Sequence, residues 1–195
     1  MVPDSEAKRN GADWLQRAAD LMTRGVRDRH SAWRTFSLAT VEDGAPAVRS
    51  VALRGFERER FAVERFAVEF WTDRRSAKVR ALPDGAAAVF WDPRSHLQLR
   101  LRGRVELADM DAEAVAAVAR SLPDEALRNY ATLGAPGTKA GSGNPDERGG
   151  RELAYRNLLS CTIVPTAGDL VHLGRERHRR FLYRFDPFEW EEVIP

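Results

Sequence analysis

The chain has 195 residues, of which 43% are hydrophobic and 31% are charged, and these values are ordinary for a folded domain rather than a disordered or low-complexity segment. Its longest apolar run, 86–91, is far too short to span a bilayer, and the first residues show no apolar core of a signal peptide. Because Cys161 is the single cysteine of the sequence, an internal disulfide is excluded. No Cys/His cluster has zinc-site spacing. We therefore expect one soluble, cytoplasmic domain, residues 1–195, without a metal or a membrane association.

Hydrophobic periodicity and turn residues predict several antiparallel strands with a few peripheral helices. Apolar residues at helical spacing predict an amphipathic N-terminal helix over 12–25, with Gly25 as its stop. Strands are predicted at 33–41, 46–54, 66–71, 86–91, 96–107, 157–164 and 178–185, and further helices at 76–82, 109–121 and 124–133. The segment 134–150 is rich in Gly, Pro and Ser and is predicted to be a mobile loop. Together these elements indicate an α+β fold built on a small antiparallel β-barrel.

The charged residues are nearly balanced, because 31 basic side chains face 29 acidic ones, and all but three of the basic ones are arginines. A guanidinium binds phosphate and carboxylate through a planar fork, so the chain is well supplied with anion ligands. A GC-rich coding sequence would produce the same surplus, so each arginine has to be judged by itself. The balance of charge, and the lack of a stacking-aromatic motif beside the arginines, argue against a nucleic-acid or other polyanion binder.

The strand predicted at 96–107 has two faces of opposite character. Leucines alternate along it with an amide and guanidiniums, in the order Leu97, Gln98, Leu99, Arg100, Leu101, Arg102 and Arg104. The leucine face belongs to the core, whereas the other face carries groups that cannot be buried without partners. A solvated sheet face and a surface covered by a second subunit or a polar ligand both agree with this pattern.

The segment from Thr72 to Lys78 combines the features of a phosphate site. A strand ends, a turn offers hydroxyls, and a helix begins with Ser76 and Lys78. Backbone N–H groups at a helix start, a hydroxyl and an ammonium can together hold a phosphate, although Ser and Lys are also common as caps and solvated charges. Arg49 and Arg54 on the preceding hairpin strand add possible ligands. Three or four such contacts, each worth roughly 1.5–3 kcal/mol, would hold a nucleotide.

The order and spacing of several short motifs carry more information than any one motif. They are TFSLATV at 35–41, DG at 43–44, RSVALRG at 49–55, FWTD at 70–73, SAK at 76–78, VFW at 89–91, QLRLRG at 98–103 and HRRFLY at 178–183. In this order they resemble the pyridoxamine 5′-phosphate oxidase superfamily of flavoproteins, and especially its Alr4036-type branch. The resemblance extends from about Trp33 to the C-terminus, and it is dense as far as Leu107.

The resemblance implies an FMN-binding split β-barrel that works as a homodimer, with the flavin between the subunits, and an oxidoreductase acting on a small-molecule substrate. It assigns cofactor contacts to Arg49, Arg54, Trp71, Thr72, Ser76, Lys78, Gln98 and Arg180, of which Arg180 comes from the second subunit. Ser76 and Lys78 match the phosphate-holding turn, and Gln98 matches a glutamine at the flavin ring. Arg54 and His178 match positions on the substrate side, and no catalytic side chain is assigned.

Departures from the family pattern concern mainly the substrate side. The oxidases hold the substrate phosphate with an arginine and a serine after the position of Tyr130, and neither residue type occurs at 131–137. Ala77 replaces an arginine of the phosphate-holding turn, and the tryptophan that covers the flavin has no match near His172. FMN binding is therefore better supported than oxidation of pyridoxamine phosphate. A flavin-binding redox sensor or storage module without turnover is the alternative.

Overall fold

The computed structural model of the protein describes residues 10–59, 62–109, 114, 124–139 and 147–195. Its helices are α1 (Gly11–Arg27), α2 (Lys78–Ala81), α3 (Asp124–Arg128) and α4 (Arg151–Asn157), with 3-10 helices at Ala32–Arg34 and Leu82–Asp84. Its strands are β1 (Thr35–Glu42), β2 (Ala45–Glu59), β3 (Ala62–Asp73), β4 (Ala86–Asp92), β5 (Leu97–Asp109), β6 (Leu158–Leu173), β7 (His178–Phe185) and β8 (Phe188–Val193).

The strands form one antiparallel sheet in the order β3-β2-β1-β4-β5-β6-β7-β8, and β3 pairs again with β6. This extra pairing closes the first six strands of that order into a barrel and leaves β7 and β8 as an extension. The length of β6 makes the arrangement possible, because residues 158–163 pair with β3 whereas residues 167–173 pair with β7. The predicted α+β split-barrel fold is confirmed.

The barrel interior takes one side of each strand, as the alternation in the sequence predicts. Leu97, Leu99 and Leu101 of β5 are fully buried, while Arg100 and Arg102 between and after them are exposed. Aromatic rings from different elements fill the centre and pack in pairs, namely Trp33 with Phe90, Phe36 with Phe90, and Phe36 with Phe70. The face of the sheet that carries Leu97 is called the inner face below, and the face that carries Gln98 is called the outer face.

Helix α1 packs its apolar side on the barrel and is longer than predicted. It begins at Gly11 and is capped by Asn10, whose side chain accepts from the Asp13 N–H while the Asp13 carboxylate accepts from the Asn10 N–H. Gly25 does not stop the helix, which continues to Arg27. A side chain at Gly25 would place its Cβ 2.7 Å from the Trp33 carbonyl oxygen, so this glycine allows the close approach of α1 to the 3-10 helix at Ala32–Arg34.

The C-terminal third differs most from the prediction. Residues 151–157 form α4, and the strand predicted to end at 164 continues through Pro165 to Leu173. The ladder between β5 and β6 shifts register at Arg102/Gly103, opposite this proline, and such an irregularity accommodates a residue without an N–H. Strand β8 was not predicted. Within the described residues, no helix is long and apolar enough to cross a membrane.

Two predicted segments fall largely or partly outside the described residues. Most of the helix predicted at 109–121 lies outside the described residues, and Asp109 is the last residue of β5. In the segment predicted as a mobile loop, residues 140–146 are outside, and its mobility stays a prediction. On either side of those residues, Thr132 and Arg148 form an antiparallel bridge.

Candidate functional site

The end of β3 and the turn after it bring together the hydroxyls and the ammonium that the sequence predicts. Lys78 Nζ donates to Thr72 Oγ1 over 3.0 Å and to Ser76 Oγ over 2.7 Å. The turn is held by the Ser76 N–H, which donates to the Asp73 carbonyl oxygen over 2.9 Å. Helix α2 has only four residues, and the Val79 N–H already donates to the Ser76 carbonyl oxygen. Side chains, rather than a helix N-terminus, therefore form this candidate anion site.

Arg49 reaches the same region from β2. It pairs with Leu38 of β1, and its side chain lies on the inner face, together with Thr40. The guanidinium donates to Thr40 Oγ1 over 2.6 Å, to the Ala47 carbonyl oxygen over 3.1 Å, and to the Glu42 carboxylate. Three acceptors from one hairpin thus fix the orientation of Arg49. We call Thr40, Glu42, Arg49, Thr72, Ser76 and Lys78 the phosphate cradle.

The charges of the cradle act on one another. Burial, followed by the positive charge of Arg49, lowers the pKa of Lys78, while the carboxylate of Glu42 opposes this change. The hydrogen bond from Thr40, with the positive charges of Arg49 and Lys78, lowers the pKa of Glu42 against the effect of burial. Two cations with one carboxylate leave the cluster with a net positive charge, which suits it to a phosphate.

Cys161 lies behind the cradle in the barrel wall, where it pairs with Phe70 and is fully buried. Burial raises the pKa of its thiol to about 12, although the charge of Lys78 opposes the increase. A protonated, inaccessible thiol is neither a nucleophile nor a metal ligand. Cys161 is therefore a core residue, as the sequence indicates.

A second group lies beside the cradle on the other side of β3. The guanidinium carbon of Arg54 lies 5.1 Å from the centroid of the Trp71 ring. The indole Nε1 of Trp71 donates to Glu69 Oε1 over 2.7 Å, and the same oxygen accepts from Ser160 Oγ over 2.8 Å. Burial raises the pKa of Tyr130, and its hydrogen bond with Arg54 and the charge of Arg54 oppose this change. Arg54 is thus held by an indole and a phenol.

Arg75 connects the segment that follows Tyr130 with the turn that follows β3. Its guanidinium forms a bidentate pair with Asp73, at 2.7 and 3.0 Å, and donates to the carbonyl oxygens of Thr132 and Leu133 over 3.0 and 3.1 Å. The hydrogen bond with Asp73 raises the pKa of Arg75. This arginine is used structurally, so it does not replace the substrate-phosphate clamp that the sequence lacks.

Gln98 and Arg180 lie on the outer face, away from the cradle of their own chain. Both lie next to Val171 of β6, Gln98 from β5 and Arg180 from β7. Gln98 Oε1 accepts from Arg100 Nε over 2.7 Å, and Arg100 and Arg180 both bind the Asp169 carboxylate, at 3.0 and 2.9 Å. One chain therefore does not bring these two residues to Arg49, whose side chain lies on the inner face.

The remaining predicted site residue, His178, begins β7 and is exposed. It is separated from Arg180 by one residue, so both point to the outer face. The predicted residues thus divide into two sets. Arg49, Thr72, Ser76 and Lys78 lie in the cradle, and Arg54 and Trp71 lie beside it on the other side of β3, whereas Gln98, His178 and Arg180 lie on β5 and β7.

The sequence analysis missed Thr40 and Glu42 of the cradle, as well as Glu69 and Asp169. Each of these residues contacts either a residue of a neighbouring strand or a residue two positions away on its own strand. The sequence alone does not show which strands are paired or in what register. Glu42 did carry a signal, since it directly precedes the Asp43-Gly44 turn that joins β1 to β2. Arg49 was predicted only a few residues later, and a hairpin turn places both side chains near one end of the pair.

Residues 12–109, about half of the chain, match the sequence model of the family described as pyridoxamine 5′-phosphate oxidase, FMN-binding domain. The chain belongs to this family. The match runs from α1 to the end of β5 and so includes every residue of the cradle. A search of functionally curated proteins found no match.

Solved structures of other proteins agree with this family assignment. A pyridoxamine 5′-phosphate oxidase-related, FMN-binding protein from Nostoc punctiforme is similar with a TM-score of 0.70 and 25% identity, over 96% of this chain and 100% of that chain. PhzG from Burkholderia lata, solved in complex with tetrahydrophenazine-1-carboxylic acid, has a TM-score of 0.69 and 15% identity, over 100% of this chain and 98% of that chain. A protein related to general stress protein 26 from Clostridium acetobutylicum has a TM-score of 0.55 and 11% identity, over 91% and 99%.

The predicted resemblance to the pyridoxamine 5′-phosphate oxidase family is therefore confirmed, as is the family's character as FMN-binding. The Alr4036-type branch within it stays a prediction. The relatives below 25% identity support the fold alone.

Proposed function

We propose that this protein binds FMN between the two subunits of a homodimer and that it is an FMN-dependent oxidoreductase acting on a small-molecule substrate. The observation that carries the proposal is the proximity of two cations from different elements: Arg49, which donates to Thr40, and Lys78, which donates to Thr72 and Ser76. The family assignment supports FMN as the ligand of that cluster. We include in the proposal one domain over residues 1–195, a cytoplasmic location and membership of the Alr4036-type branch.

The residues of the cradle fit the phosphate of FMN. Arg49 offers a guanidinium fork, Lys78 offers an ammonium, and Thr72 and Ser76 offer hydroxyls that can donate once Lys78 turns toward the ligand. Partial burial strengthens these contacts because fewer water molecules compete for the same atoms. Bound FMN would accept a hydride from the substrate and pass the electrons to oxygen or another acceptor.

The outer face supports a homodimer. It combines exposed apolar side chains, Val48 at 67% and Trp91 at 38% exposure, with the polar groups of Gln98 and Arg180. Cross-strand pairs connect these four positions through one side of the sheet. A second copy covering this face would bury the apolar groups and bring Gln98 and Arg180 to the flavin held by the partner.

The substrate side consists of Arg54, Tyr130 and, from the outer face, His178. Arg54 lies over the Trp71 ring and near Tyr130, so its guanidinium is placed to bind an anionic or polar group of the substrate. The segment 131–137 adds no arginine or serine to it. We therefore propose a substrate other than pyridoxamine 5′-phosphate, and we assign no general base.

The second candidate function is a flavin-binding module without turnover, such as a redox sensor or a flavin store. The lack of a substrate-phosphate clamp favours this function. Arg75 is bound to Asp73 and Thr132, and the sequence has no arginine between Tyr130 and Arg148. The cradle itself serves both functions equally.

Purification and flavin release test the proposal. The purified protein should be yellow, acid should release a flavin that co-migrates with FMN, and the flavin-free protein should bind FMN in a titration. Oxygen consumption across a panel of amines and aldehydes then separates an oxidase from a module, which would show no turnover. A colourless preparation that FMN cannot reconstitute would contradict the proposal and favour a polyanion binder.

A further inference from the structure

Glu42 occupies a place in the cradle that phosphate binding does not require. It is the last residue of β1, and its Oε1 accepts from Thr40 Oγ1 over 2.8 Å and from the Arg49 guanidinium. The side chains of Glu42 and Arg49 are 25% and 22% exposed, so the pair lies at the mouth of the cradle rather than in its floor. Thr40 and Thr72, by contrast, are buried.

The carboxylate of Glu42 makes the contact that a phosphate oxygen would make. Arg49 has its donors directed at Thr40, Ala47 and Glu42, and of these three acceptors only Glu42 is negatively charged. A phosphate that binds both Arg49 and Lys78 must either displace this carboxylate or lie beside it. Two anions side by side repel each other, and the repulsion is strong where burial limits screening.

Glu42 has a clear function in the cradle without ligand. The positive charge of Arg49 lowers the pKa of Lys78 after burial does, and the carboxylate of Glu42 offsets part of this effect. The side chain of Glu42 lies at the end of β1, is a quarter exposed and adjoins the exposed Asp43-Gly44 turn, so it can rotate into solvent. Glu42 can thus leave Arg49 without disturbing the buried side of the barrel.

We propose that Glu42 is an internal anion that competes with the cofactor phosphate for Arg49, stabilising the empty cradle and limiting the affinity for FMN. This inference rests on the proposed FMN function and adds a residue that sets how strongly, and how selectively, the phosphate group is bound. It requires that a neutral side chain at position 42 increase the affinity for phosphate and lower the stability of the ligand-free protein.

Glu42→Gln tests the inference, with Asp43→Asn as its matched control. The two variants lose the same charge one residue apart, but the Asp43 side chain is exposed in the turn. Flavin-free protein is titrated with FMN and with riboflavin, which lacks the phosphate. We expect Glu42→Gln to bind FMN about tenfold more tightly than the native protein, and Asp43→Asn to stay within about twofold. Riboflavin affinity should change in neither variant, and the melting temperature of ligand-free Glu42→Gln should fall.

The opposite result overturns the inference. If Glu42→Gln binds FMN as weakly as the native protein or more weakly, Glu42 orients Arg49 for the phosphate instead of competing with it. An equal gain for riboflavin would assign the effect to the ring site. Failure of every variant to bind FMN would contradict the proposed function instead, and stabilisation by inorganic phosphate then decides the role of Glu42. Larger stabilisation of Glu42→Gln than of the native protein supports competition, and equal or smaller stabilisation rejects it.

Discussion

Lys78 and Arg49 lie close enough for their charges to interact, although one belongs to a four-residue helix and the other to β2. The positive charge of Arg49 contributes, after burial, to the lowered pKa of Lys78. Two cations kept together at a cost in electrostatic energy indicate a binding site for an anion, because a site without a ligand would gain by separating them. This pair is the basis of the FMN proposal.

Lys78→Ala should weaken FMN binding while the barrel stays folded. The ammonium contacts only Thr72 and Ser76 in the hydrogen bonds described, and a charge-assisted contact to a phosphate contributes about 1.5–3 kcal/mol, or roughly 10- to 150-fold in Kd. Fluorescence titration of FMN measures the effect. Arg80→Ala, which removes an exposed charge from the same helix, is the control. Equal FMN affinity in Lys78→Ala and the native protein would remove Lys78 from the site.

Arg180→Ala should weaken FMN binding without preventing dimer formation. Arg180 is bound to Asp169 within its own chain, and in the proposed dimer its guanidinium also reaches the flavin of the partner. Arg184→Ala is a suitable control, since Arg184 lies on the same strand and the same face and pairs with Glu189 at 3.1 Å. Sedimentation and FMN titration are measured together. Native values for both in Arg180→Ala would show that the residue does not reach the cofactor.

Glu69→Leu should weaken FMN binding through Trp71. The change leaves Trp71 Nε1 and Ser160 Oγ without their shared acceptor, so the indole that carries Arg54 loses its fixed position. We expect about a threefold to tenfold increase in Kd for FMN, corresponding to one lost hydrogen bond. Glu69→Gln keeps an acceptor oxygen and should retain most of the affinity. If Gln and Leu at this position behave alike, the hydrogen bond to Trp71 does not contribute to binding.

The ion pair of Arg179 and Glu192 should make stability depend on pH. Hydrogen bonds from Arg179 at 2.8 Å lower the pKa of Glu192 below the usual 4.5. A carboxylate with a lowered pKa in the folded state stabilises the protein above its unfolded-state pKa, and this contribution is lost as the pH falls through the folded-state value. Glu192 is a third exposed, so Glu192→Gln should cost about 1 kcal/mol at pH 7.

Urea unfolding at neutral pH and at about pH 3 measures this dependence, since the contribution disappears below the carboxylate pKa. Glu191→Gln, the exposed neighbour on the other side of β8, should show little difference at either pH. A deficit in Glu192→Gln that is the same at both values would mean that the carboxylate acts by packing and not by its charge.

Local patterns predicted much of the barrel correctly. The alternation of Leu97, Leu99 and Leu101 with polar residues identified β5 and its two faces, and the Asp43-Gly44 turn identified the first hairpin. These features depend on neighbours in sequence. The order of the motifs then predicted the family. Arg49, Thr72, Ser76 and Lys78 lie in one region of the fold, and their contact with FMN stays a prediction.

Long-range contacts account for what the sequence did not predict. Strand β6 passes through Pro165 because the ladder with β5 shifts register there, and its far half pairs with β7 rather than β3. Gly103 shows the same dependence on tertiary contact, since a Cβ there would overlap with the Val164 carbonyl oxygen. Glu42 was missed for a related reason, because its meaning comes from Arg49 on the opposing strand.

A diffraction structure of crystals grown with FMN tests the central claim most directly. The account predicts a flavin phosphate within hydrogen-bonding distance of Arg49 and Lys78, with the outer face of a second chain, including its Gln98 and Arg180, against the isoalloxazine ring. A flavin phosphate bound away from this cradle, or a flavin enclosed by one chain alone, would contradict it.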